Sequence, residues 1–193
     1  ESAIFWGDER CVPPDDPESN YRQARLALLA RAPLPLKHIH RVRGELDPAA
    51  AALDYADQLR ALQEGDLNWP RFDLALLGLG ADGHTASLFP GPLAPGETTL
   101  PAIAVTADYK GRPAHRVSLT PLVLNAARHI IFLASGAAKA EALAAVLAGP
   151  RDVERWPAQR IRPAHGLATW LVDQAAAARL KEQTLFDRMH VHA

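Results

Sequence analysis

The sequence predicts an α/β protein with a mainly parallel β-sheet. Three observations lead to this class: short apolar runs with strand character, helical segments that alternate with them, and prolines and glycines at the boundaries. The chain has 193 residues, of which 48% are hydrophobic, with no linker and no internal repeat. That length supports one domain with a sizeable core. We expect the domain to cover residues 1–183 and residues 184–193 to form a mobile tail.

The strand predictions rest on short apolar runs bounded by turn residues. The predicted strands are residues 2–6, 72–78, 102–106, 116–119, 130–134 and 167–172. The run FDLALL, which ends in glycines, predicts a strand buried on both faces, as in open parallel sheets. Ligand sites of such sheets lie where the strands meet their loops, so the loop after residue 78 is where we expect chemistry.

The helix predictions rest on capping residues and on apolar periodicity. The predicted helices are residues 20–31, 47–63, 120–127, 137–147 and 173–181. Ser19 and Asp47 are the expected N-caps of the first two. The first helix is predicted to bury an apolar face formed by Leu26, Leu29 and Ala30.

Composition and charge argue against several classes of partner. The net charge is −1, with both signs scattered along the chain, so we expect binding neither to nucleic acid nor to a membrane. No apolar stretch approaches the roughly 20 residues that span a bilayer. Cys11 is the single cysteine, which indicates a reducing, cytoplasmic compartment. The pairs His38 with His40 and His190 with His192 lack a third ligand at a plausible position, so we predict no metal site.

The glycine-rich loop GLGADGHTASLFP, residues 78–90, is the most informative segment. It offers glycines for close backbone approach, one carboxylate at Asp82, one imidazole at His84 and two hydroxyls. Asp82 can hold one ring nitrogen of His84 and leave the other free as a base near neutral pH. From the residues alone, a structural histidine bonded to a backbone carbonyl is an equal alternative.

Gly78, Gly80 and Gly83 also match the dinucleotide fingerprint GxGxxG. That fingerprint needs a long helix that begins inside the glycines and directs its amino end at a pyrophosphate. Pro90 and Gly91 leave room for only about two turns, which argues against nucleotide binding.

A charged segment, Asp8 to Arg10, follows the first predicted strand and has two interpretations. It forms either a solvated loop with an ordinary ion pair or a site in which Arg10 presents a cation to substrate oxygens while the acids orient it. Its place at the end of a strand favours the second interpretation modestly.

Two long motifs resemble those of one enzyme family. GLGADGHTASLFPG and FWGDERCVPPDDPESNY, which starts at residue 5, are similar in residues and spacing to the motifs of the 6-phosphogluconolactonases, relatives of the glucosamine-6-phosphate deaminases. Weaker similarities follow in RVSLT, SGAAKAEAL and LATWLVDQAA, in the family's order. The resemblance implies a three-layer, Rossmann-like open sheet with helices on both faces.

The resemblance also implies an activity: hydrolysis of 6-phosphoglucono-1,5-lactone to 6-phosphogluconate in the oxidative pentose phosphate pathway, by a monomer or weak homo-oligomer and without cofactor or metal. His84 would be the base, Asp82 its orienting partner or an aid to water placement, and Arg10 the stabiliser of the oxyanion. Arg116 and Lys139 would contact the sugar phosphate, with backbone amides of a helix amino end adding to the site at Lys139. The other expected substrate-binding residues are Asp8, Glu9, Gly80 and Gly83.

Two alternatives accompany this prediction. One is the glucosamine-6-phosphate deaminase branch, which carries MDEY-like and AFNEP-like segments where this chain has WGDER and ASLFP, so both differences favour the lactonase. The other is a sugar-phosphate-binding chain without turnover, because the family's serine- and glycine-rich phosphate loop, SGGSTP-like, has no counterpart in this chain. Glu1 is not methionine, which leads us to expect truncation or processing.

Overall fold

Helices and strands alternate over much of the chain, as the sequence predicts, although three strands follow one another between residues 74 and 119. The computed structural model describes residues 2–32, 34–63, 65–109, 111–163 and 165–180. The chain clusters into two units: unit 1 comprises residues 1–70 and 94–122, and unit 2 comprises residues 71–93 and 123–193. The expected tail, residues 184–193, lies outside the described residues, as do His190 and His192.

Unit 1 contains two small sheets. Strands β1 (Ile4–Phe5) and β3 (Ile39–His40) pair in parallel. Strand β6 (His115–Leu119) pairs antiparallel with β2 (Asp8–Arg10) on one side and with β5 (Ala102–Thr106) on the other. The charged segment at Asp8–Arg10 is therefore a strand and not a solvated loop, because its backbone pairs with β6 and buries Glu9 and Arg10.

The helices of unit 1 differ in how much of their apolar surface is buried. Helix α1 (Asn20–Ala24) is short and continues as a π-type turn over Arg25–Leu29. The predicted apolar face of this segment is wrong, because Leu26 is 57% exposed and Ala30 is also exposed. Helix α2 (Pro48–Arg60) packs against β5 and β6 with a genuine apolar face. Its buried residues are Ala51, Ala52, Tyr55, Ala56 and Leu59.

Unit 2 is built on a parallel sheet in the order β4 (Leu74–Gly78), β7 (His129–Ala134), β8 (Leu167–Val172). One face of this sheet is buried, and its central residues, Ile130 and Phe132, are at most 1% exposed. The prediction that β4 is buried on both faces is wrong, because its residues alternate between buried and exposed. The exposed leucines of this sheet are Leu74, Leu76, Leu133, Leu167 and Leu171.

Among the described residues, three α-helices accompany this sheet in the sequence. They are α3 (Pro121–Asn125), at the boundary between the two units, α4 (Ala140–Ala148) and α5 (Gln174–Ala177). The predicted helix at 137–147 begins as a 3₁₀ turn over Ala137–Lys139 before it becomes α4. In the part of the chain that the structure describes, no helix has the length and apolarity to cross a membrane.

Candidate active site

His84 and Asp82 form a close pair in the glycine-rich loop, which leaves the carboxyl end of β4 in unit 2. His84 Nδ1 lies 2.6 Å from Asp82 Oδ1, and the His84 backbone N–H donates to the same oxygen at 3.2 Å. Burial alone would raise the pKa of Asp82, but the hydrogen bond and charge of His84 outweigh burial and lower it. Because an ionised carboxylate can only accept, Nδ1 is the ring nitrogen that donates its proton to Asp82.

Two glycines allow the backbone of this loop to pass close to neighbouring side chains. An added Cβ at Gly80 would overlap His84 Nδ1 and come within 2.5 Å of Asp82 Oδ1. Gly83 has φ +84°, and an added Cβ there would lie 2.6 Å from the Trp156 ring. Gly80 therefore leaves room for the imidazole and carboxylate to meet over the backbone, whereas glycine at position 83 allows the positive φ and the close approach of Trp156.

The rest of the loop supports the imidazole. The backbone of Gly80 donates to the His84 carbonyl at 2.7 Å, and the Thr85 hydroxyl donates to the carbonyl of Gly78 at 2.8 Å. The Phe89 ring lies 4.9 Å from the His84 ring, centroid to centroid. These contacts close the loop on itself, so His84 is held through its backbone N–H and carbonyl, its Nδ1 and its ring.

Two buried arginines lie side by side in unit 1. Arg10 on β2 is paired directly with Arg116 on β6, so the two side chains share a face of the sheet. Arg10 is 9% exposed and Arg116 is 4% exposed. Burial, followed by the charge of Arg10, lowers the pKa of Arg116. The charges of Asp8 and Glu18 act in the opposite direction and offset part of the repulsion between the two arginines, and an anionic ligand would offset it further.

The partners of Arg10 fix part of its guanidinium. Its Nη1 donates to the Glu18 carbonyl oxygen. Its Nε is buried and has no hydrogen-bond partner among the described residues. Asp8 shares the face of Arg10 on β2, and the side-chain amide of Asn20 donates to the Asp8 carbonyl oxygen at 2.9 Å.

Glu9 points to the opposite face of β2 and holds the start of α1. Its carboxylate accepts from the backbone N–H groups of Asn20 and Tyr21, both at 2.7 Å, and from the Ser19 hydroxyl at 3.0 Å. A further bond comes from the Arg10 backbone N–H at 2.8 Å. Both oxygens thus have a structural role, and contact between Glu9 and substrate stays a prediction.

Lys139 lies in the turn between β7 and α4, at the carboxyl edge of the unit 2 sheet. The strand register pairs Gly78 with Leu133, so the glycine-rich loop leaves the same edge. Asp173, which the sequence analysis did not single out, holds this turn: its two oxygens accept from the Gly136 N–H at 3.1 and 2.9 Å. Parallel strand order therefore brings Lys139 and the His84 loop to one edge.

The thiol of Cys11 is a poor nucleophile. Burial, followed by the charges of Glu9 and Asp47, raises its pKa to about 11, so the thiol is protonated at neutral pH. Among the described residues, no group of three or more His, Cys, Asp and Glu side chains is arranged to hold a metal ion.

Apart from Lys139, which lies at the same sheet edge as the glycine-rich loop, the predicted site residues form two groups, each described within its own unit. His84, Asp82, Gly80 and Gly83 are in contact with one another in unit 2. Asp8, Glu9, Arg10 and Arg116 lie on neighbouring strands of unit 1. Residues 152–160, to which the sequence assigns no role, also contact the glycine-rich loop: the Ala158 N–H donates to the Gly83 carbonyl at 2.9 Å. A tryptophan, a proline and an arginine within this short polar stretch are the only sequence signal that could indicate it.

The family model of the glucosamine-6-phosphate isomerases/6-phosphogluconolactonase matches residues 1–170. The chain belongs to this family. A 6-phosphogluconolactonase from Synechocystis is 40% identical over 180 residues, which cover 92% of this chain and 73% of the relative. The human 6-phosphogluconolactonase is 42% identical over 179 residues, covering 92% of this chain and 68% of the relative.

A solved member of the family has the same fold. The 6-phosphogluconolactonase from Trypanosoma brucei superposes with a TM-score of 0.77 at 32% identity, covering 92% of this chain and 73% of that structure. The Rossmann-like α/β fold that the motifs imply is therefore confirmed, and so is the family.

Proposed function

We propose that this chain is a 6-phosphogluconolactonase that hydrolyses 6-phosphoglucono-1,5-lactone to 6-phosphogluconate, with His84 as the general base. The observation that carries the proposal is the 2.6 Å contact between His84 Nδ1 and Asp82 Oδ1, in a loop at the carboxyl end of a parallel strand. Relatives 40% and 42% identical over most of the chain are 6-phosphogluconolactonases, which supports the same choice.

Hydrolysis of a lactone requires few catalytic groups from the protein. Its carbonyl is already electrophilic, so a positioned water, a base and positive charge near the developing oxyanion suffice. His84 Nε2 takes a proton from the water as the water oxygen bonds to the lactone carbon. When the tetrahedral intermediate collapses, the bond to the ring oxygen breaks and that oxygen receives the proton from His84. Asp82 stabilises the imidazolium that exists between the two steps.

The buried arginine pair supports an anionic substrate. Arg10 would stabilise the oxyanion, and Arg116 with Lys139 would bind the phosphate. These roles rest on the family resemblance, and the burial of Arg10 and Arg116 side by side favours them because an anion offsets their mutual repulsion. Asp8, Gly80 and Gly83 are proposed to line the substrate site. The proposed mechanism uses no cofactor, and a cytoplasmic monomer or weak homo-oligomer stays a prediction.

The decisive experiment compares lactone hydrolysis by the chain and by His84→Ala, with spontaneous hydrolysis subtracted. We expect the variant to lose the enzymatic rate with little loss of stability, since a loop imidazole contributes little to a core. His129→Ala is the matched control. That histidine belongs to the same unit but lies at the amino end of β7, where its Nε2 contacts the Thr169 hydroxyl at 2.9 Å.

Loss of activity in His84→Ala alone supports the proposal. Wild-type activity in a folded His84→Ala variant contradicts the role of the base. A folded wild-type chain with no lactonase activity, which still binds 6-phosphogluconate by calorimetry, contradicts the enzyme proposal and favours the binding alternative.

A further inference from the structure

A segment to which the sequence assigns no role holds the glycine-rich loop within the loop and again just after it. We name residues 152–160 the clamp segment. Within the loop, the Ala158 N–H donates to the carbonyl of Gly83 at 2.9 Å. Directly after the loop, the Gly91 N–H donates to the carbonyl of Glu154 at 2.8 Å. The two contacts lie on either side of the imidazole in the sequence, so the clamp segment sets the position of the loop that carries it.

Arg160 makes the side-chain part of this connection. It is 7% exposed, so its guanidinium is almost entirely removed from water. Its Nε donates to the carbonyl of Val153 at 2.9 Å, within the clamp segment. Its Nη2 donates to the loop carbonyls of Gly91 at 2.9 Å and Phe89 at 3.4 Å. One planar group thus joins the clamp segment to the end of the loop.

Gln159, the neighbouring buried residue, has a different task. Its side-chain amide donates to the carbonyls of Ala145 and Pro150, both at 3.1 Å, and its oxygen accepts from the Asp152 N–H at 2.7 Å. These bonds attach the clamp segment to the end of α4. Gln159 therefore holds the clamp segment against the end of α4, whereas Arg160 connects the clamp segment to the end of the loop.

Phe89 completes the path to the imidazole. Its carbonyl accepts from Arg160, and its ring lies against the His84 ring at 4.9 Å between centroids. The imidazole is otherwise oriented by Asp82 through Nδ1. If the Phe89 backbone shifts, the ring contact is lost and the angle of the imidazole plane is held less firmly.

We propose that Arg160 is a positioning residue for lactone hydrolysis, acting through Phe89 to hold the His84 imidazole in the orientation that proton transfer requires. This inference rests on the proposed function. A displacement of about 1 Å in a catalytic group costs up to about 100-fold in rate, so a positioning residue remote from the chemistry has a measurable effect.

The kinetic test compares Arg160→Met with Arg71→Met. Arg71 belongs to the same unit and also donates to two carbonyls, those of Ala126 and His165, at 3.0 and 3.2 Å. We expect Arg160→Met to lower kcat by about 10- to 100-fold with KM changed less than about two-fold, and Arg160→Lys to recover part of the loss. Wild-type kcat in folded Arg160→Met, or an equal loss in Arg71→Met, overturns the proposal.

A spectroscopic test does not depend on turnover. The His84 Nδ1–H proton, assigned by its loss in His84→Gln, is expected downfield in the proton NMR spectrum because it is bonded to a carboxylate. Its signal should shift in Arg160→Met and stay in place in Arg71→Met; an unchanged signal overturns the proposal. If the wild-type chain hydrolyses no lactone, the proposed function fails while this signal still decides the role of Arg160.

Phe89→Leu serves if Arg160→Met does not fold. It removes the ring that contacts His84 and leaves the Arg160 bonds to the backbone in place. We expect the same loss of kcat as for Arg160→Met, and an unchanged kcat contradicts the path through Phe89.

Discussion

At the scale of single residues, the proposed chemistry depends on a glycine that leaves space as well as on charged side chains. Gly80 leaves room for the His84 and Asp82 side chains to meet directly over the backbone. Arg116, by contrast, fills a buried position with a charge whose nearest strand neighbour carries the same sign. Each feature makes a prediction of its own.

Replacement of Gly80 by alanine should separate the base from its carboxylate. The new methyl group would overlap His84 Nδ1, so the imidazole must move, and we expect kcat to fall at least about 10-fold. Gly78→Ala is the control, because a Cβ there meets nothing within 4 Å. Steady-state kinetics of both variants decide the question, and equal activities would show that the imidazole tolerates displacement.

Replacement of Arg116 by alanine should weaken substrate binding. If the guanidinium contacts the phosphate, KM rises with kcat less affected. Burial and the charge of Arg10 disfavour the Arg116 charge whereas Asp8 and Glu18 favour it, so removal of the guanidinium has opposing effects, and we expect only a small net change in stability on urea unfolding. Arg112→Ala, which removes an exposed arginine, is the control. An unchanged KM in Arg116→Ala would contradict the phosphate assignment.

The sequence predicts some of these residues and not others, for a physical reason. His84 and Asp82 are two positions apart in a loop after a strand, so their contact is local and can be inferred. The burial of Glu9 depends on a helix that begins about ten residues later, and the role of Arg160 depends on a contact with a loop about seventy residues earlier. Neither long-range contact leaves a periodic pattern.

At the scale of elements, two strands are predicted best. The predicted strands at 102–106 and 167–172 have the observed bounds, because each is a short, mainly apolar run. Helix α1 is predicted too long: the leucines after residue 24 are mostly exposed, so no burial stabilises a regular helix there. The prediction that β4 is buried on both faces is wrong for one face, because apolar composition alone does not show which face another element covers.

The amino end of α1 depends on Glu9 as well as on its N-cap. Glu9→Gln replaces an acceptor oxygen by an amide that faces donor groups, so we expect a loss of about 1 to 3 kcal/mol in the free energy of unfolding. Asp47→Asn at the exposed N-cap of α2 should change stability by less than about 0.5 kcal/mol, since asparagine is as good a cap. Urea unfolding measures both. Equal losses would show that the buried carboxylate has no special role.

At the scale of the whole molecule, the parallel sheet of unit 2 is unusual in being covered on only one face among the described residues. Sheets of this kind in α/β proteins normally have both faces covered. Leu76 on β4 is 61% exposed, and Leu133 on the neighbouring strand β7 is 50% exposed. Together these leucines form an exposed apolar patch, a surface that is poorly hydrated.

We expect this patch to bind the dye ANS. The double variant Leu76→Gln with Leu133→Gln should lower the ANS fluorescence more than Leu26→Gln with Leu28→Gln, because the first pair lies on adjacent strands of one sheet face whereas the second lies on a turn after α1. Equal changes for the two double variants would contradict a continuous patch. Circular dichroism of both variants controls for folding.

The order of strands in this sheet also has a consequence for protein synthesis. Strand β4 leaves the ribosome first, but it pairs with β7, and β7 pairs with β8, so residues 79–166 must be translated before the sheet is complete. Until then β4, an apolar strand, lacks the strands that complete its sheet, and long-range parallel pairing is slow to form. We therefore expect the nascent chain to be a client of ribosome-associated chaperones, with the binding interval set by the translation time of those residues.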